Sequence, residues 1–374
     1  MAELGLLARH PLSGGGPAPG PAPGSARLVA AWLLVCAAFV YSILIVGGIT
    51  RLTHSGLSIV EWKPLMGALP PLSDQAWNSL FDRYRATPEF RLVNFDLTLE
   101  GFKRIFWWEY AHRLMGRLVG MVFLLPLLWF ALTRRISRPM AWRLSVIFAL
   151  GGLQGALGWY MVASGLVRDP TVSPFRLTAH LALALLIVGA MLWTAFGLQS
   201  GSIGRREVPV PARAVVALVF LMAMTGGMVA GTHAGFSYNT FPLMGDSMVP
   251  PDLFRLDPWY LNFAYNLATV QFVHRVIAWT LIAGLPLYGW WIRARGFGVV
   301  ARRRSNFMLA ALALQVGLGI ATLLSVVWLP LAAAHQAGAV LLYASALWTA
   351  DALGTEPRRQ PARVAATATA VPGS

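Results

Sequence analysis

Apolar stretches of about twenty residues, the length that crosses a bilayer's hydrocarbon core as one helix, recur along the chain between short connections rich in Arg, Pro and Gly. Eight can be drawn: Leu28 to Ile49, then 109–133, 143–165, 176–198, 212–232, 271–292, 306–328 and 331–353. The pattern predicts an all-α integral membrane protein with eight transmembrane helices. Ahead of the first span, residues 1–26 carry Gly14-Gly15-Gly16 and the Pro/Ala/Gly alternation of Pro17 to Gly24. Such a segment buries too little apolar surface to fold and reads as a flexible tail, as does 354–374 at the other end. The run after the first tail is long enough to span and has no clear small-residue cleavage site, so it reads as a span and not a secretory signal.

Composition narrows the class. Of 374 residues, 57% are hydrophobic and 12% charged, against about 25% charged in an ordinary soluble domain, which excludes a soluble globular enzyme. The net charge of +15 invites a nucleic-acid reading until its placement is seen. Arg134, Arg135, Arg138 and Arg143 lie between spans two and three, Arg205, Arg206 and Arg213 between four and five, and Arg293, Arg295, Arg302, Arg303 and Arg304 between six and seven. Basic connections belong on the cytoplasmic side, which puts both termini there and no nucleic acid among the partners. The opposite, outer face receives the long connection between spans one and two. The lone Cys36 sits inside span one, so neither a disulfide framework nor a thiolate metal site is available.

The chain repeats itself with a period of four helices. Gly47-Gly48, Thr53-His54, Gly56, Ser58 and Pro64-Leu65-Met66-Gly67 return as Gly226-Gly227, Thr232-His233, Gly235, Ser237 and Pro242-Leu243-Met244-Gly245. His112-Arg113 returns as His274-Arg275, and Leu153-Gln154 with Gly155 and Gly158 as Leu314-Gln315 with Gly317 and Gly319. His180 precedes Trp193, and His335 precedes Trp348, by the same thirteen residues. An even number of spans per unit makes the repeat parallel, with a pseudo-twofold axis along the membrane normal. The expected organisation is two four-helix bundles, 27–200 and 212–353, joined by a cytoplasmic linker at 201–211.

A histidine in an apolar helix is ordinarily a hydrogen-bonded packing residue. Here His112, His180, His274 and His335 each fall within the first two turns of an even-numbered predicted span, and so at one depth near the outer surface. Ionisable groups at membrane depth are costly and mark function by default. With no cysteine or carboxylate cluster beside them, two imidazoles per half suit the axial positions of a porphyrin iron. Arg51, Arg113, Arg117, Arg176 and Arg275 lie near the same outer ends, where a guanidinium either anchors at the interface or forks onto a propionate. The halves differ at one point: Glu109 stands one turn before His112, while Gln271 stands before His274. Residues i and i+3 share a helix face, so this carboxylate looks toward the first histidine pair. It is either a solvated interfacial acid or a group that takes a proton or faces positive charge on a substrate. His54 and His233 recur in loops and read as loop-fixing hydrogen bonders.

The run Gly47 to Thr53, followed by Ser55 to Ile59, Glu61-Trp62-Lys63-Pro64 and Glu109-Tyr110-Ala111-His112-Arg113-Leu114-Met115-Gly116-Arg117, resembles the haem A synthases. The likeness covers about 27–353 and is to the branch of alphaproteobacteria and mitochondria. It implies oxidation of the C8 methyl group of haem O to a formyl group for cytochrome oxidase assembly, with water as the oxygen source. It also implies haem b on His274 and His335, the substrate haem O between His112 and His180, and Glu109 as the catalytic carboxylate. Another branch carries a cysteine pair in the first outer loop; its absence here excludes a thiol–disulfide role. The partners implied are haem O, its synthase, the lipid bilayer of a bacterial inner membrane and an electron acceptor that the residues do not identify; a homo-oligomer is left open. A dihaem b-type electron-transfer protein would explain the histidines without Glu109. A transporter would more often bind at the bilayer midplane on broken helices.

Overall fold

The computed structural model describes residues 23–61, 66–165, 171–204 and 206–355. Eight helices in it are long and apolar enough to cross a membrane: α1 (Pro23–Leu52), α4 (Leu99–Leu132), α5 (Arg138–Gly165), α6 (Pro174–Ser200), α7 (Val210–Thr232), α9 (Leu267–Ala294), α10 (Val299–Leu324) and α11 (Leu329–Thr355). Three short helices stand in the connections, α2 (Asp74–Arg85), α3 (Pro88–Leu92) and α8 (Asn262–Tyr265). The first predicted tail overlaps α1, which begins at Pro23; the rest of it, the tail after Thr355, Arg205 and the Trp62-Lys63-Pro64-Leu65 motif lie outside the described residues.

α1 packs on α4, α6 and α11, and α7 packs on α6, α9 and α11, while α5 lies against α4 and α6 and α10 against α9 and α11. α6 and α11 are therefore the inner helices, and the main cluster of buried apolar side chains draws on all eight spans. A buried charge cluster sits at the end of α11: Asp351 accepts from Arg206 at 2.6 Å and from Arg304 at 2.8 Å. Each of these guanidiniums lies over a tryptophan, Trp193 or Trp348, that occupies the same position in the two repeats.

The second span departs from its predicted bounds. α4 starts at Leu99, ten residues earlier than hydropathy suggested, because Thr98 caps it by accepting from the Gly101 N–H at 3.2 Å. Glu100, Lys103 and Arg104 break the apolar run, yet Phe102 and Phe106 keep helical spacing. With Trp77 and Tyr84 they form a second buried cluster under α2 and α3. The long connection is thus a packed cap. His112 is consequently the fourteenth residue of α4 and His274 the eighth of α9, while His180 and His335 are each the seventh of theirs; the expectation that all four lie in the first two turns fails for the first two.

Candidate functional site

What sets the positions of the four histidines is glycine on the neighbouring helix. A Cβ at Gly47 of α1 would lie 2.8 Å from His112 Nε2, and one at Gly158 of α5 would lie 3.0 Å from His180 Cε1. In the second half a Cβ at Gly226 of α7 would lie 3.4 Å from His274 Cε1, and at Gly319 of α10, 2.8 Å from His335 Cε1. Gly47 and Gly226, and Gly158 and Gly319, are the glycines that the repeat picks out. Each imidazole is half-buried, and each meets a glycine of its own half: His112 and His180 meet theirs on α1 and α5, His274 and His335 on α7 and α10.

The donor set fits a porphyrin iron better than a bare ion. Among the described residues no three His, Cys, Asp or Glu side chains come together, whereas a macrocycle needs only axial ligands from the protein. Nδ1 of His180 and Nδ1 of His335 are buried without a hydrogen-bond partner, a costly state for an uncommitted polar atom. Gln154 places its amide 3.2 Å from His180 Nε2 and donates to the His180 carbonyl at 3.0 Å. His274 Nδ1 is 2.9 Å from Thr225 Oγ1.

Glu109 is 2% exposed and faces the loop after α1. One carboxylate oxygen accepts from Ser58 Oγ and from the Ile59 N–H, both at 2.7 Å, and the other accepts from Arg113 at 2.6 Å. The Arg113 guanidinium also donates to the carbonyls of Ile59 at 2.8 Å and Glu61 at 3.0 Å. In the other half Gln271 donates to the Tyr238 carbonyl at 3.2 Å, and Arg275 to the carbonyls of Tyr238 at 2.9 Å and Leu243 at 3.0 Å. Tyr238 is the repeat counterpart of Ile59, so both arginines clasp the same loop, and only the first half adds a carboxylate to the clasp.

Arg51 reaches from α1 to the Ala230 carbonyl of α7 at 2.9 Å. Arg117 stands one turn beyond Arg113 on α4, and Arg176 donates to the Tyr160 carbonyl at 2.8 Å, at the α5–α6 corner. His54 and His233 follow α1 and α7 in left-handed backbone, at φ 50° and 59°, and this conformation is the recurring feature. Burial lowers the His233 pKa, and the nearby charges of Arg51 and His54 lower it further.

Ser58, Ile59, Gln154 and Thr225 were missed as functional contacts, although the repeat had marked Ser58 and Gln154. Glu89 on α3 gave no signal at all. It is 4% exposed and accepts from the Tyr84 hydroxyl at 3.2 Å, and that hydroxyl in turn accepts from Asn94 at 2.7 Å. Burial pushes its carboxyl up to about 7, the Tyr84 hydrogen bond opposes this, and the charge of Glu109 adds to it.

Residues 30–347 match the COX15-CtaA family, described as cytochrome oxidase assembly protein. A heme A synthase of Nitrosospira multiformis is 51% identical over 340 residues, 89% of this chain and 94% of that protein. Heme A synthases of Rhodospirillum centenum and Parvibaculum lavamentivorans are 47% and 45% identical, covering 89% and 86% of this chain and 91% and 92% of their own.

Proposed function

The chain belongs to the COX15-CtaA family of cytochrome oxidase assembly proteins, and from that premise we propose that it is a multi-pass membrane enzyme that oxidises haem O to haem A. The observation that carries the reading is the 51% identity to a heme A synthase along 94% of that protein. It makes the match one of whole scaffolds and not of a shared motif.

In this reading the bundle 27–200 holds the substrate between His112 and His180, and the bundle 212–353 holds a haem b between His274 and His335. When bound, that haem supplies a one-electron path away from the substrate to an external acceptor. The C8 methyl becomes an alcohol and then a geminal diol that loses water to the aldehyde, with water as the oxygen source. A carboxylate has roughly four acceptor sites, and Ser58, Ile59 and Arg113 occupy three on Glu109. The remaining one would be available to hold an attacking water and take its proton, and the charge would stabilise positive charge developing on the oxidised carbon. Ser58, the Ile59 N–H and Arg113 keep the carboxylate oriented. Arg51, Arg113, Arg117 and Arg275 are the candidate propionate contacts, and Arg51, Arg113 and Arg275 each also donate to a backbone carbonyl.

The basic connections α4–α5, α6–α7 and α9–α10 support a reading in which both termini lie in the cytoplasm of a bacterium and the haem sites toward the periplasmic half of its inner membrane. There haem O synthase would be a neighbour. The test is expression in membranes that make haem O but no haem A, followed by pigment extraction and mass analysis. Haem A together with haem b is expected, and Glu109→Gln should keep haem b and haem O while losing haem A. Haem b alone in the wild type, unchanged by Glu109→Gln, would make the chain a dihaem electron carrier instead.

A further inference from the structure

The two histidine pairs are built from the same repeat but are not held alike. Thr225 precedes Gly226 on α7, and its hydroxyl stands between two groups: the Met222 carbonyl at 2.9 Å and His274 Nδ1 at 2.9 Å. A hydroxyl has a single hydrogen to donate. With that hydrogen on the Met222 carbonyl, which can only accept, the Thr225 lone pair is left for the imidazole. His274 must then carry its proton on Nδ1, which leaves the Nε2 lone pair to point away from α7, the edge nearest Gly226 being Cε1 and Nδ1. A fixed Nδ1–H with a free Nε2 is the tautomer of a metal-ligating histidine, and the partner of Nδ1 is what sets it.

The residue preceding Gly47 on α1, in the same repeat position, is Val46. It offers no hydroxyl, and the edge of His112 nearest Gly47 is Nε2 itself. In the same half the Gln154 amide sits 3.2 Å from His180 Nε2. Both imidazoles of the first half must therefore turn, or shed a neighbour, before they can ligate through Nε2, whereas His274 is already set.

We propose that Thr225 is the positioning residue that makes the C-terminal haem site the resident one, and that Val46 at its repeat position keeps the N-terminal site exchangeable. A resident haem gains from a ligand whose orientation is fixed before binding. A site that must admit one porphyrin and release another gains from a ligand that lets go. This rests on the assignment of His274 and His335 to the cofactor and of His112 and His180 to the substrate.

Purified Thr225→Val, Thr225→Ser and Val46→Thr proteins, alongside wild type and His274→Ala, test it by haem b retained during dialysis against apomyoglobin and by the midpoint potential of the bound haem. Loss of an outer-shell partner to a metal-bound histidine weakens binding about 10- to 100-fold. Thr225→Val should therefore lose haem b faster by that factor and shift its potential, and Thr225→Ser should restore both. Val46→Thr, whose hydroxyl can hold Nδ1 of His112 once the ring has turned Nε2 away from α1, should retain more haem O or haem A on the purified protein than wild type does. If His274→Ala keeps its full haem b, the cofactor assignment falls. If His274→Ala loses haem b while Thr225→Val matches wild type in retention and potential, the role of Thr225 falls alone. Unchanged porphyrin retention in Val46→Thr, a substitution at a helix surface that leaves the Thr225 bond untouched, overturns the second half of the proposal.

Discussion

Arg113 and Glu109, one helical turn apart on α4, are joined by a 2.6 Å ion pair, and the same guanidinium holds the carbonyls of Ile59 and Glu61 on the loop after α1. The arginine thus fixes the carboxylate and the loop that supplies its other two donors. A lysine carries the charge but cannot reach three acceptors in a planar fork. Arg113→Lys should bind haem normally and form haem A about 100-fold more slowly, the scale of a misplaced reacting group. Haem content from the reduced spectrum and the initial rate of haem A formation, measured on one preparation, separate the two effects. Equal loss of both would make Arg113 a ligand contact and not an orienting one.

The glycines beside the histidines are not equally strict. A Cβ at Gly47 would be 2.8 Å from His112 Nε2, closer than real contacts allow, but at Gly226 it would make an ordinary 3.4 Å contact with His274. Gly47→Ala should displace the His112 ring from α1 and change haem O affinity, while Gly226→Ala should keep haem b. Haem O titration followed optically checks the first and pyridine haemochrome analysis the second.

How much of this was legible in the sequence follows from the range of each interaction. The histidines, the glycines against them and the Glu109/Gln271 difference were visible because the repeat compares each residue with a second copy of itself. The true start of α4 was hidden because Lys103 and Arg104 lower the hydropathy of a segment whose Phe102 and Phe106 pack on the loop cluster. The clasp made by Arg113 joins residues 52 and 54 positions away, and no local pattern announces such a contact. Thr225 differs from Val46 by a hydroxyl that the sequence displays, but no local pattern shows that this hydroxyl meets His274, 49 positions away.

Asp351 is 1% exposed and holds Arg206 of the linker and Arg304 of α10. Removing its charge leaves two guanidiniums facing one another with no counter-ion. Breaking a buried pair by deleting one partner costs about 3–5 kcal/mol, so Asp351→Asn should lower the thermal midpoint in detergent markedly while leaving the haem spectra of the surviving folded fraction unchanged. A midpoint within error of wild type would show that water or lipid replaces the carboxylate.

Glu89 carries a pH prediction whose sign follows from its raised pKa of about 7. The unfolded carboxyl titrates near 4.5, so the folded protein binds the proton more tightly. Stability from this group is full below the unfolded value and is lost as pH rises through about 7. The loss is on the order of 3 kcal/mol. The protection factors of residues 73–98, with the intrinsic pH dependence of exchange divided out, should fall between the two pH values, and Glu89→Gln, neutral throughout, should abolish that fall. If the substituted protein shows the same pH profile, another group is responsible.

Pro126 lies inside α4 and has no N–H to give the Val122 carbonyl one turn earlier. Trp32 of α1 fills the gap: its indole N–H donates to that carbonyl at 2.9 Å, while the ring packs on Phe123 and Phe130 at 4.9 and 5.4 Å. Cys36 approaches the same oxygen, but only at 4.0 Å. Trp32→Phe keeps an aromatic ring and deletes the donor, which should cost about 1–3 kcal/mol for an unpaired buried carbonyl. Pro126→Ala restores the helix's own N–H, so in that background the tryptophan's bond is redundant and Trp32→Phe should cost much less. The four unfolding free energies form a double-mutant cycle. A sum of single effects that reproduces the double mutant to within about 0.5 kcal/mol would mean that the indole and the proline are independent, and that the Trp32 contribution lies in its ring packing alone.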